Sequence, residues 1–115
     1  SFPLDLCGFC SYNCSYKNKG SAMRFDWDPQ KNVLNVRKHK VPFEYAARVF
    51  LDPGRLDAVD DRKDYGEERR ITVGRIDERV FVVVYVDRGG VIRLISARKA
   101  NAREEEDYYL QQLHP

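Results

Sequence analysis

Several residue types are scarce in this chain. Its 115 residues include one Trp, one Met and two His, and all three Cys, at Cys7, Cys10 and Cys14, come before residue 15. An odd cysteine count with no long-range partner argues against a secreted disulfide framework and suits a reducing cytoplasm. Those cysteines are spaced by two and then three residues, but one metal site usually wants four donors and no His lies near them, so no metal is expected there. No apolar run approaches the roughly 20 residues of a membrane helix; the longest, Val80 to Val86, is of strand length. Neither sign of charge is in real excess. With 20 Lys and Arg against 18 Asp and Glu the net charge is +2, so bulk charge is no argument for a nucleic-acid partner. This length suits one compact domain and is short for two.

The segment before Met23 reads as separate from that domain. It lacks the basic start and continuous apolar core of a signal peptide, and its Gly20-Ser21-Ala22 end resembles a junction or upstream translated sequence. Residues 1–22 are therefore expected to be an extension, derived from a junction or disordered, and residues 23–115 the working domain.

From Met23 onward the pattern is that of a mixed α+β chain. Met23 to Trp27 alternates as a half-buried strand does, and Asp28-Pro29 offers an N-cap with proline at the first helical position. That helix should run to Lys38 or His39, because Pro42 pushes Val41 out of helical conformation. Phe43, Ala46, Ala47 and Phe50 recur at helical spacing, and Asp52-Pro53-Gly54 ends the run. Leu56 to Val59 is a short strand and Asp60 to Gly66 a polar loop. Arg69 to Ile76 alternates, with Ile71 and Val73 on one side and Arg70, Thr72 and Gly74 on a wet side. Val80 to Val86 is apolar on both parities, which marks a central strand. Arg88-Gly89-Gly90 reverses the chain into a hairpin with Val91 to Ala97. Finally, Asn101 with Glu104 three residues later is a capping box, opening a helix that carries Tyr109 and Leu113 at i, i+4. The order β-α-α-β-β-β-β-α predicts two helices packed on a mainly antiparallel sheet of four to five strands, with a C-terminal helix.

Charge is sorted along the second half. Arg88, Arg93, Arg98, Lys99 and Arg103 follow one another with no acid between them, and Glu104, Glu105, Glu106 and Asp107 come next. Asp26, Asp28, Asp60 and Asp61 show no metal-ligand spacing, and Asp28 is explained by capping, so neither metal nor cofactor is expected.

The body of the chain resembles the BrnT family, ribonuclease toxins of bacterial type II toxin-antitoxin systems with a RelE-like fold. The resemblance rests on Phe25-Asp26-Trp27-Asp28 with Lys31, on Asn35, Lys38-His39 and Val41, and on Phe43, Ala46 and Val49-Phe50 with Asp52-Pro53. It continues through Glu68-Arg69, Ile71 to Gly74, the valine-rich strand to Arg88, and Ile92-Arg93, Ile95 to Arg98 and Ala100. Two positions depart from it. Lys40 stands where the family usually has a helix-ending glycine, and a left-handed conformation there costs other residues roughly 1 kcal/mol. Pro42 replaces the usual Ser or Thr, so a side-chain N-cap for the second helix is lost.

What the resemblance implies is an endoribonuclease that cleaves cellular RNA and arrests growth. A cognate BrnA-like antitoxin with a DNA-binding part would neutralise it, and the pair would repress its own operon by binding operator DNA. Metal-free RNA cleavage needs a base near the attacking 2′-hydroxyl, cations around the phosphorus and an acid for the leaving oxygen. Arginine suits the cationic role, since its planar donors match phosphate and it stays charged. Arg69 and Arg98 are the expected phosphate ligands at the reacting centre, with Arg93, Arg88 and Lys38 binding RNA. Strand parity sets Arg93 and Arg98 on opposite faces unless a bulge intervenes or Arg98 lies past the strand end. Ion pairs with Glu67, Glu68 or the Glu104 cluster are the competing role for these arginines. His39, with a pKa near 6.5, is the expected proton-transfer group, or else a residue favoured by the helix-end dipole. Glu68 could act as a base but more simply holds Arg69 or Arg98. Tyr85 shares parity with the core residues Phe81 and Val83, its hydroxyl reaching the edge to stack a base or orient a phosphate. Trp27 should anchor the core. The alternative to an enzyme is a non-catalytic antitoxin- or DNA-binding scaffold of toxin ancestry.

Overall fold

The structure, a computed structural model, describes residues 23–61 and 66–113. The extension with its three cysteines, residues 62–65 of the expected loop, and His114 lie outside the described residues. The elements are β1 (Arg24–Asp26), α1 (Pro29–His39), α2 (Phe43–Ala46) running into a 3-10 helix (Ala47–Leu51), β2 (Leu56–Asp60), β3 (Arg69–Ile76), β4 (Arg79–Arg88), β5 (Val91–Lys99) and α3 (Ala102–Leu113). The fold is α+β, as the sequence order implied. The strands form one five-stranded sheet in the order β1-β5-β4-β3-β2, antiparallel except where β1 lies parallel to β5.

β4 is the middle strand, which is why Val80 to Val86 is apolar on both parities and buried throughout. On one face Phe81, Val83 and Tyr85 join Ile92, Leu94 and Ala97 of β5 against Val41, Phe43, Ala46, Val49 and Phe50. Phe43 and Leu94 are fully enclosed, each worth roughly 1.5–3 kcal/mol relative to exposure. Trp27 packs edge-on against Phe43, with ring centroids 6.2 Å apart, as the core anchor it was expected to be. Gly89 and Gly90 both have positive φ, as a two-residue hairpin turn requires, and the Asp87 carboxylate accepts from the Gly90 N–H.

The expectation for β3 is inverted. Thr72 and Gly74, read as the wet side, face the helices and are buried, while Ile71 and Val73 are only half-buried on the other side. Gly74 is there because the 3-10 helix comes close: a Cβ at this position would stand 3.1 Å from the Val49 backbone oxygen. The Thr72 hydroxyl donates to the Leu56 carbonyl at 2.7 Å, so its burial leaves no hydrogen-bonding group stranded.

α1 turns polar residues toward the body. Asn35 is buried, donating from its amide to the carbonyls of Ala97 and Val41 and accepting from the Ala97 N–H. Because β1 covers only Val91 to Arg93 of β5, this side chain completes the open edge of that strand further along. Asn32 accepts from the Phe43 N–H at 2.9 Å and so caps α2, replacing the cap that Pro42 cannot give. Lys40 does adopt the left-handed conformation, with φ of 65° and its N–H bonded to the Val36 carbonyl; the helix ends there with a strained lysine in a position suited to glycine.

At the other end, Asn101 and Glu104 exchange the reciprocal capping-box bonds at 2.9 and 2.8 Å. The residue that docks α3 is Tyr108, buried with its hydroxyl donating to Asp52. Tyr109 and Leu113, the expected apolar pair, are exposed. A spacing of four residues located one stripe of the helix, but not which stripe meets the body.

Candidate functional site

The register of β5 against β4 decides where the arginines point. Val84 stands opposite Ser96, while its neighbour Tyr85 stands opposite Leu94, so Ile95 is an extra residue, a β-bulge. As a result Arg93 pairs with Val86 and Arg98 with Val82, two valines of the same parity. Arg93 and Arg98 therefore share the face of the sheet away from α2 and the 3-10 helix. Arg88 has that parity too. So does Arg69, one step from Arg70, which faces with Tyr85 on the other side.

Two clusters result. In the first, the Glu67 carboxyl is held below its ordinary pKa, chiefly by hydrogen bonds from Arg88, with Arg69 and Arg93 adding their charge. Arg93 reaches across to Asp26 of β1 at 2.5 Å. In the second, the Arg98 guanidinium makes a two-pronged pair with Glu104, both contacts 2.8 Å. Glu104 is thereby kept below its ordinary pKa, mainly by Arg98. His39 lies beside this cluster at the end of α1, its pKa lowered by partial burial and by the charges of Lys38 and Arg98. A lowered value leaves the ring mostly neutral at pH 7, the form able to accept a proton. Lys38 is exposed next to it. The backbones of Arg93 and Arg98 are separated by the four-residue stretch between Val86 and Val82, about 13 Å of strand.

Two expected members lie elsewhere. Tyr85 is on the opposite face, its ring buried against Phe50 and its hydroxyl donating to Asp57 at 2.5 Å, so it offers no ring face to a base. Glu68 pairs with Arg70 at 2.9 Å, not with Arg69 or Arg98. Both belong to a network centred on Asp57, which also accepts from Arg55 and Arg70. Sequence reasoning missed that network: Arg55 is two positions from Asp57, but Arg70 and Tyr85 are 13 and 28 away, with no spacing to betray the network. It also missed Asp26 as the partner of Arg93, which only the parallel pairing of β1 brings close. Among the described residues no three His, Cys, Asp or Glu side chains gather in a metal-holding group. No described helix is long and apolar enough to cross a membrane.

The domain thus carries arginines on one face of its sheet and, close to Arg98, a histidine whose pKa is lowered. Residues 27–104 match the model of a family described as the ribonuclease toxin BrnT of type II toxin-antitoxin systems. The chain belongs to this family. The match takes in both arginine clusters, His39 and, as its last residue, the Glu104 that holds Arg98. No curated protein matches the chain.

Proposed function

We propose that the face carrying Arg69, Arg88, Arg93 and Arg98 binds RNA, and that cleavage is metal-independent and centred on Arg98 and His39. The observation that carries this reading is the Ile95 bulge, which sets Arg98 on the same side as Arg93 and Arg69. Arg88 and Arg93 with Lys38 would hold the strand through its phosphates. Arg98, aimed by Glu104, would stabilise the charge on the crowded phosphorus, and Arg69 would contribute from the first cluster. His39 takes the proton of the 2′-hydroxyl as its oxygen attacks the adjacent phosphorus. The bond to the 5′-oxygen breaks, and that oxygen takes up a proton from water, leaving a 2′,3′-cyclic phosphate. Glu68 and Tyr85, bound into the Asp57 network, are left out of the set.

In the cell, which we take to mean the cytoplasm, a cognate antitoxin of BrnA type would cover this face. Through its DNA-binding part the complex would repress its own operon. Purified protein incubated with RNA in chelator should cleave it, and Arg98→Ala should abolish cleavage. Equal activity in the two proteins overturns the assignment of Arg98. Cleavage only with added magnesium overturns metal independence, and no cleavage under either condition favours a non-catalytic antitoxin- or DNA-binding scaffold.

A further inference from the structure

α1 is amphipathic the wrong way round for a helix that packs on a core. Its inward side is Asn32, Asn35 and His39, whereas Val33, Leu34 and Val36 face outward with 52%, 59% and 37% of their surface exposed. Around that apolar stripe lie Lys31, Arg37, Lys38 and Lys40, and α1 contains no acid. α3 is the counterpart in charge. Tyr108 and Gln112 tie it to its own domain, leaving Tyr109, Leu110 and Leu113 exposed along one stripe, next to the exposed Glu106 and Asp107. Helix residues three and four apart stack on one side, so Tyr109, Leu110 and Leu113 form a strip on α3 and Val33 stacks with Val36 on α1, with Leu34 beside Val33; the charges on α1 are all basic, and those on α3 are acidic except for Arg103.

The geometry points to self-association in which α3 of one copy docks on α1 of another. Charge selects this occupant. Two α1 faces set against each other would oppose cation to cation, and two α3 faces acid to acid. Residues 1–22 hold a single acid, Asp5, against Lys17 and Lys19, so they do not complement the basic rim of α1. α3 supplies both the apolar strip and the acids. Since the contact joins two different surfaces, each copy carries one donor and one acceptor face; association either closes through two such contacts or continues as a chain. Three side chains a side is well below a standard interface, so the association is weak and sensitive to salt.

Sedimentation velocity of the full chain over a wide concentration range at low salt should show reversible association that diminishes as salt is raised. Leu34→Glu on α1 and Leu110→Lys on α3 should each weaken it by about tenfold or more, with unchanged circular dichroism, since both sites are exposed. Mixing the two variants is the decisive arm. Leu34→Glu retains an intact α3 and Leu110→Lys an intact α1, so the mixture should form a one-to-one dimer that neither forms alone. A wild-type chain that stays monomeric overturns the proposal and leaves the α1 face to residues 1–22 or to another protein. Association untouched by the two substitutions overturns it, and so does a mixture that remains monomeric.

Discussion

Asn35 bonds both backbone groups of Ala97, giving its amide N–H to the carbonyl at 2.8 Å and accepting the Ala97 N–H at 3.1 Å. A side chain of α1 thus acts as a short length of sixth strand where β1 has already ended. Removing it strands a buried N–H and the Ala97 and Val41 carbonyls, each costing roughly 1–3 kcal/mol if water does not replace the bond. Asn35→Leu is expected to lower stability by about 2–4 kcal/mol in urea titration. A loss under about 0.5 kcal/mol, the scale of an ordinary surface change, would show that the edge does not need this residue.

Lys40 holds a left-handed backbone with φ of 65°, and its ammonium makes one exposed bond, to the Arg37 carbonyl at 3.2 Å. Lys40→Gly should therefore stabilise the domain by about 0.5–1 kcal/mol, the relief of backbone strain exceeding glycine's greater freedom when unfolded. Thermal denaturation would detect the gain, and a fall in melting temperature would count against this account.

Glu104 has a pKa below its ordinary value of 4.5, chiefly through Arg98. A carboxyl depressed in the folded state adds stability above its unfolded pKa and loses it as pH falls through the folded value. With Arg98 40% and Glu104 29% exposed, screening limits the effect to no more than about 1 kcal/mol. Glu104→Gln keeps a capping side chain but removes the charge. Its melting temperature should fall less than wild type between neutral and acid pH; parallel curves would show that the pair does not contribute.

His39 has a folded pKa below 6.5, lowered by burial and then by Lys38 and Arg98. If its neutral ring accepts the proton, RNA cleavage should rise with pH to a plateau, with a midpoint below 6.5. In His39→Gln that rise should disappear along with most of the activity. The same pH profile in the variant would assign the titration to another group.

The sequence disclosed the fold more fully than the site. β4 declared itself by valines on both parities, α3 by Asn101 and Glu104, and the hairpin by Gly89-Gly90, because each signal is local. β3 misled because polarity is a poor guide where a backbone approaches: Thr72 is buried with its hydroxyl satisfied, and Gly74 makes room for Val49. The bulge at Ile95 unites Arg93 and Arg98 on one face, but nothing in Val91 to Lys99 marks which residue is the extra one. Carboxylates that hold arginines were legible in part: Glu67, an expected partner, holds Arg88 across 21 positions. Glu104 is six positions from Arg98, whereas Asp26 is 67 from Arg93 and was invisible without the β1–β5 pairing.

The sheet order has a consequence for how this toxin is made. β5, the last strand synthesised, lies between β1, the first, and β4. Until residues 91–99 leave the ribosome, β1 has no neighbour, Asn35 has no strand edge to complete, and neither Arg93 nor Arg98 exists. α3 follows at once, bringing the Glu104 that aims Arg98. Long-range pairings of this kind form late. A growing chain therefore cannot present the shared arginine face until β5 and the first turn of α3 have been made.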